Sequence, residues 1–260
     1  MRAQPAVVRS RFVCYNRKET ELAMDGVDRM KKRRQFPLHE SLRVGIFLAL
    51  AGGMLDAHTY LFRGGVFANA QTGNLVLFGV SLAECSWLRA GYYLVPVAAF
   101  FLGVAATELL KRRISDRAFW GWRQLILLLE AALLVVLGCL PAGVPDVVVN
   151  VTVSFVCSLQ VNAFRTLKGN AYATTMCTGN LRSAAEQLCR YWFDREKKAL
   201  APALHYLAII GCFCAGAALG ALGTSLLGGR ALWAGAGLLL IALVLQLLDG
   251  RRQGARAAEQ

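Results

Sequence analysis

Asp56-Ala57 followed by Thr72-Gly73-Asn74-Leu75 has a counterpart later in the chain, Asn162-Ala163 followed by Thr178-Gly179-Asn180-Leu181. In both copies the Asp or Asn stands 16 positions before the Thr, and the copies are offset by 106 positions (56 to 162, 72 to 178) without a gap. A repeat at constant offset marks one structural unit used twice, and in membrane chains a binding site often lies where the units meet.

The surrounding composition places these blocks in a membrane. Residues AVILMFWYC make up 56% of the 260 positions and the mean hydropathy is +0.45, against about 45–50% apolar in globular chains. The excess falls in six runs, at 43–62, 91–110, 124–140, 147–167, 203–227 and 231–248. Each is close to the ~20 residues that cross a hydrocarbon core about 30 Å thick. Before the first run, residues 1–42 are polar and basic, ending in Lys31-Lys32-Arg33-Arg34, and read as an unstructured tail without a cleaved signal peptide. Met24 and Met30 offer alternative starts within it. The net charge of +13 invites a nucleic-acid reading, but the Lys and Arg flank apolar runs instead of forming an aromatic-studded basic face. No nucleic-acid partner is therefore expected. The bilayer is.

Charge placement tests the count of crossings. Of 29 Lys and Arg, 26 fall in residues 1–43, 111–123, 165–202 and 249–260, leaving only Arg63, Arg89 and Arg230 for the opposite side. Positive residues favour the cytoplasmic face, so both termini are predicted there. The expected fold is an all-α integral membrane protein with six transmembrane helices as a 3+3 inverted repeat. The halves are 43–140 and 147–248, and 249–260 is a cytoplasmic tail. Three crossings per half is odd, so the second half inserts upside down, a recurring transporter design. Each half also carries a short half-helix or re-entrant segment. In the first, Arg63-Gly64-Gly65 ends a helix and Thr72 caps a new one over 75–83; in the second, Lys168-Gly169-Asn170 is the break and Thr178 the cap. A helix starting inside the membrane presents unpaired N–H groups and a positive dipole end, suited to an anion. The alternative is that both segments only seal the bundle by packing.

Ionisable and amide groups within apolar runs complete the candidate site, because charge there is costly. Asp56, Glu130, Gln160 and Asn162, with Thr72, Gly73, Asn74, Thr178, Gly179 and Asn180, are the expected substrate-binding residues. By the repeat, Asp56 and Asn162 occupy matching places, and Glu130 is a candidate partner for Asp56. Glu108 sits one turn from Lys111 and Arg112 and reads as an interfacial pair. Arg182, Glu186 and Arg190 form an i, i+4, i+8 ladder suited to the membrane surface. Gly216 and Gly220 form a G-x-x-x-G pair for close packing within the bundle. Trp87, Tyr92, Tyr93, Trp120, Trp122, Tyr191, Trp192 and Trp233 are placed as an interfacial belt. The eight cysteines lack metal or disulfide spacing and read as small apolar residues. Three scattered histidines (His39, His58, His205), with no G-x-S-x-G, H-E-x-x-H or phosphate loop, argue against an enzyme and imply no cofactor or metal.

Gly52-Gly53-Met54-Leu55-Asp56-Ala57, Gly65-Val66-Phe67, Gln160-Val161-Asn162-Ala163 and the two Thr-Gly-Asn-Leu blocks resemble the YoaK-like family of bacterial membrane proteins, a domain of unknown function (DUF1275). The resemblance covers about residues 42–250. It implies a six-helix protein of the bacterial inner membrane, with no substrate or functional residues to carry over; His58 after Asp-Ala departs from the pattern. Two functions are carried forward: a secondary transporter or permease of a small solute, an anion among the candidates, and a non-transporting scaffold or partner-binding protein. An intramembrane enzyme would need a wet cavity joining an acid and base such as Glu130 and His58. Solute identity and any homo-oligomer are left open.

Overall fold

Helix α1 (Leu42–Phe62) stops where the sequence predicts. Gly64 and Gly65 both hold φ +76°, a left-handed backbone that favours glycine. The structure, a computed structural model, describes residues 41–113, 121–141, 143–167, 170–172 and 174–258. Most of the basic tail, His39, Trp120 and Lys168-Gly169 lie outside the described residues. The helices that follow are α2 (Gln71–Ala83), α3 (Trp87–Arg113), α4 (Trp122–Gly138), α5 (Asp146–Ala163), α6 (Cys177–Trp192), α7 (Leu200–Leu227) and α8 (Leu232–Ala258). A two-residue antiparallel pair, Thr166–Leu167 with Asn170–Ala171, turns the chain between α5 and α6. Each expected run coincides with a helix, though α3 begins earlier, α5 ends earlier, and α8 continues through 249–258, where a tail was expected.

Four segments are long and apolar enough to cross a membrane: α1, α3, α5 and Lys197–Asp249, which contains α7 and the greater part of α8. The 17-residue α4 is not among them. Large apolar side chains such as Leu88 (93% exposed) and Leu226 (82%), with Phe101 and Leu222, point outward from α3 and α7. Apolar surface on that scale is stable against lipid, not water.

The main core runs along a seam of α1, α4, α5 and α8, with Leu48, Leu55, Leu127, Leu134, Val153 and Leu239 at its centre. Outside it, α7 crosses α1 at glycine: a Cβ on Gly216 would strike the Leu50 backbone, and one on Gly220 would reach Met54 Cα and O at 2.6 Å. The G-x-x-x-G pair thus packs inside the bundle, as expected. On the far side, Gly103 of α3 opposes the Phe155 carbonyl and Ser158 of α5 in the same manner. The principal packings are α1 with α7, α3 with α5, α1 with α8, α4 with α5, α2 with α3, α6 with α7, and α4 with α8. Exchanging α1–α4 for α5–α8 turns this set into itself.

The expected aromatic belt is only partly present. Trp87, Trp192 and Trp233 are exposed, but Trp122 and Tyr93 are buried. Trp122 opens α4 directly on the core seam and its ring stacks under the Arg123 guanidinium at 4.4 Å, so its first contacts are internal. The Arg182, Glu186 and Arg190 ladder is exposed along α6, and Arg190 pairs with Glu196 at 2.8 Å.

Candidate functional site

The two repeated segments meet at Gly52 in α1, through residues just before the Thr-Gly-Asn blocks and not through the blocks themselves. Asn69 donates from Nδ2 to the Gly52 carbonyl at 3.3 Å. Thr175, its counterpart 106 positions on, sets its methyl group so close that a Cβ on Gly52 would collide with it. Glycine here gives both lead-in loops access to the α1 backbone. Helices α2 and α6 themselves have no extended contact; each rests on the helix that follows it.

Asp56, one turn beyond Gly52, is buried and accepts the Asn69 backbone N–H at 2.6 Å. The backbone N–H groups of Ala68 and Ala70 and the Asn69 side chain also face its carboxylate. The loop into α2 therefore wraps its free donors around one carboxylate, as backbone nests do around anions. Thr72 and Thr178 are not caps: α2 and α6 start earlier, behind Ala70 and Met176, and no side chain caps either helix. Both threonines lie exposed in the first turn.

Asn74 is buried and clamps the same loop. It accepts the Phe67 N–H at 3.0 Å and donates to the Phe67 carbonyl at 2.7 Å and to Gln71 at 2.8 Å. Gly73 lies against the Phe67 ring, which a Cβ would touch at 2.9 Å. In the second copy Asn180 is likewise buried and engaged, whereas Gly179 faces open space. Gln160 reaches from α5 across the centre, donating to the Leu48 carbonyl and to Thr174 Oγ1, both at 3.3 Å. It ties α1 to the second lead-in loop.

Two expectations are corrected here. Asn162 does not share the role of Asp56: it turns outward to α3 and donates to Glu108 at 3.0 Å. Glu108 does pair with Lys111, at 3.8 Å, but also receives this interhelical bond. Helix α5 ends one residue later at Ala163, whose carbonyl accepts Arg123 Nε at 3.1 Å. Nor does Glu130 pair with Asp56. Glu130 is 0% exposed on the core seam, and both its carboxylate oxygens lack a partner among the described residues. Cys157 of α5 is buried on the same seam. Thr175 Oγ1 is another buried group without a partner among the described residues. His58 instead bonds Thr224 of α7 at 3.0 Å, away from Glu130.

Sequence reasoning missed Asn69, Thr174, Thr175 and Cys157. A signal was available for Asn69 and Thr175, since both stand three positions before the repeated threonine and both are polar within an apolar setting. Arg63 was also missed, although it is 3% exposed, pairs with Asp146 at 3.2 Å, and gives its carbonyl to Tyr92 and Asn150, each at 2.8 Å.

The site so built holds amide, hydroxyl and carboxyl groups where the two lead-in loops reach α1. Residues 44–245 match the family described as Protein of unknown function (DUF1275). The chain is also similar to the UPF0700 transmembrane protein YoaK of Bacillus subtilis (strain 168), 30% identical over 181 residues that cover 67% of this chain and 80% of that protein. No solved structure matches it. With its apolar helices, outward-facing Leu and Phe, and this matched span, the chain is an all-α membrane protein and belongs to the DUF1275 family.

Proposed function

We propose that this protein is a secondary transporter or permease for a small solute, built as a 3+3 inverted repeat of six crossings with both termini cytoplasmic. The observation that carries this reading is the meeting of both lead-in loops at Gly52, next to Asp56, in a bundle whose helix packings map onto themselves when the halves are exchanged. Discontinuous helices meeting between inverted repeats are where transporter sites lie. In this reading the loop before α2 is a gate latched by Asp56, and the described conformation is closed. Glu130, a carboxyl group without a partner in an apolar seam, is the candidate for ion or proton coupling, since intramembrane ionisable groups mark such pathways.

A thermal-shift screen of metabolites on the purified chain comes first, because a ligand at ~100 times its Kd stabilises the folded state by about 2.7 kcal/mol. Flux of the hit into proteoliposomes is then compared with Asp56→Asn, which keeps an acceptor for the Asn69 N–H but removes the charge. Loss of flux with an unchanged melting temperature supports transport; undiminished flux counts against Asp56 as the latch of the gate.

One observation favours a non-transporting scaffold. Asp56, Asn74 and Gln160 are all satisfied by the protein's own backbone and side chains, as groups that merely lock helices would be. Under that reading Asp56→Asn lowers the melting temperature, and no solute shifts it.

A further inference from the structure

At the end of the bundle remote from Lys111 to Arg113, the turn after α1, the end of α4 and the 3-10 turn between α7 and α8 border a half-open cavity of about 480 Å³. Small-molecule pockets span about 300–1,000 Å³. Its walls are apolar at Phe62, Leu140, Leu227 and Trp233 and cationic at Arg63 and Arg230. Only three of the chain's 29 Lys and Arg lie outside the clustered basic segments, and two of them line this one space.

The state of each guanidinium separates this cavity from a chance grouping. Arg63 spends one nitrogen on Asp146, its buried Nε has no partner among the described residues, and its Nη2 would lie 3.4 Å from a Cβ on Gly229, part of the cavity wall. A buried donor without a partner is costly, and a fork-shaped guanidinium suits an oxyanion held on two nitrogens. Arg230 is exposed, has no carboxylate within ion-pairing distance among the described residues, and lies 6.0 Å over the Trp233 ring. The third cation, Arg89, already has Glu84 at 3.9 Å. Two guanidinium charges thus face one neighbouring carboxylate, leaving a net positive pocket with an aromatic floor.

We propose that this cavity binds an amphiphilic anion, with its phosphodiester or carboxylate group held by Arg63 and Arg230 and its apolar body against Leu140, Leu227 and Trp233. That chemistry is supplied either by an anionic lipid headgroup or by a free carboxylate with an apolar tail. The full-length chain in neutral detergent is offered equal amounts of phosphatidylglycerol and phosphatidylcholine and weighed by native mass spectrometry; parallel titrations use sodium dodecanoate and inorganic phosphate. Phosphatidylglycerol is retained over phosphatidylcholine, and Arg230→Gln lowers that preference about tenfold or more, the scale of one charge-assisted hydrogen bond. Gly229→Leu fills the space while keeping both charges and lowers it as well; Arg230→Lys preserves it in part. Displacement of the lipid by dodecanoate at low concentration identifies a free solute as the occupant, and resistance to it identifies the lipid. Equal retention of the two lipids together with no dodecanoate binding, or a preference untouched in both Arg230→Gln and Gly229→Leu, overturns the proposal.

Discussion

Asn74 makes three hydrogen bonds from a buried position and fixes the loop before α2 to its own helix. Asn74→Ala leaves the Phe67 N–H and carbonyl without those partners, so a loss of about 2–3 kcal/mol is expected in the unfolding of the detergent-solubilised protein. At Gly52 the constraint is steric and shared between two residues. Gly52→Ala meets the Thr175 methyl and destabilises, but the next atom of Thr175 would stand at 3.5 Å, an ordinary contact. Gly52→Ala combined with Thr175→Ser should therefore recover most of the melting temperature, and additive losses would rule out that contact as the cause. Glu130 lies at the opposite extreme, costing stability where it stands. Replacing an unpaired buried carboxyl group with an apolar side chain of similar size removes its desolvation penalty, so Glu130→Leu should raise stability by about 1–3 kcal/mol. The same variant should lose flux, as expected where function keeps a destabilising group in place.

Among the elements, α1 and α7 pack most intimately because glycines remove the side chains between them. Gly216 faces the Leu50 backbone, whereas Gly211, one and a half turns earlier on the same helix, has nothing within 4 Å of a would-be Cβ. Gly216→Val must separate the two backbones, and the folded yield in size-exclusion chromatography should collapse. Gly211→Ala should leave both yield and melting temperature unchanged, which distinguishes close packing from a general intolerance of helix substitutions. The lead-in loops are shorter elements that act through this crossing. Asp56 collects the N–H groups of residues 68–70 and Gln160 holds Thr174, so each loop is latched by a helix of the first or second half.

For the whole molecule, the self-mapping of helix packings is what an inverted pair of halves would produce, and native cysteines can test it. Cys85 lies exposed just past α2, and Cys189 lies exposed near the end of α6, within two positions of its 106-residue counterpart. With the other cysteines replaced, a membrane-impermeant maleimide should label Cys85 in intact cells and Cys189 only after permeabilisation. Labelling of both from one side would exclude opposite orientation of the halves.

The amino-acid sequence by itself determined the membrane class, the helix-forming runs, the break at Arg63-Gly64-Gly65 and the recurrence of one block at a 106-residue offset. These follow from hydropathy, glycine placement and residue spacing, which are local and additive along the chain. Only the tertiary structure decided which polar groups meet. Asp56 and Asn162 match in sequence yet part in space, because Asp56 turns to a loop 13 residues ahead while Asn162 turns to a neighbouring helix. Glu130 was legible as a buried acid but not as an unpartnered one, and Arg63 and Arg230, 167 positions apart, share a cavity only through the packing of α1, α4, α7 and α8. Hydrogen bonds and cavities join groups distant along the chain, so their pairing depends on how whole helices cross.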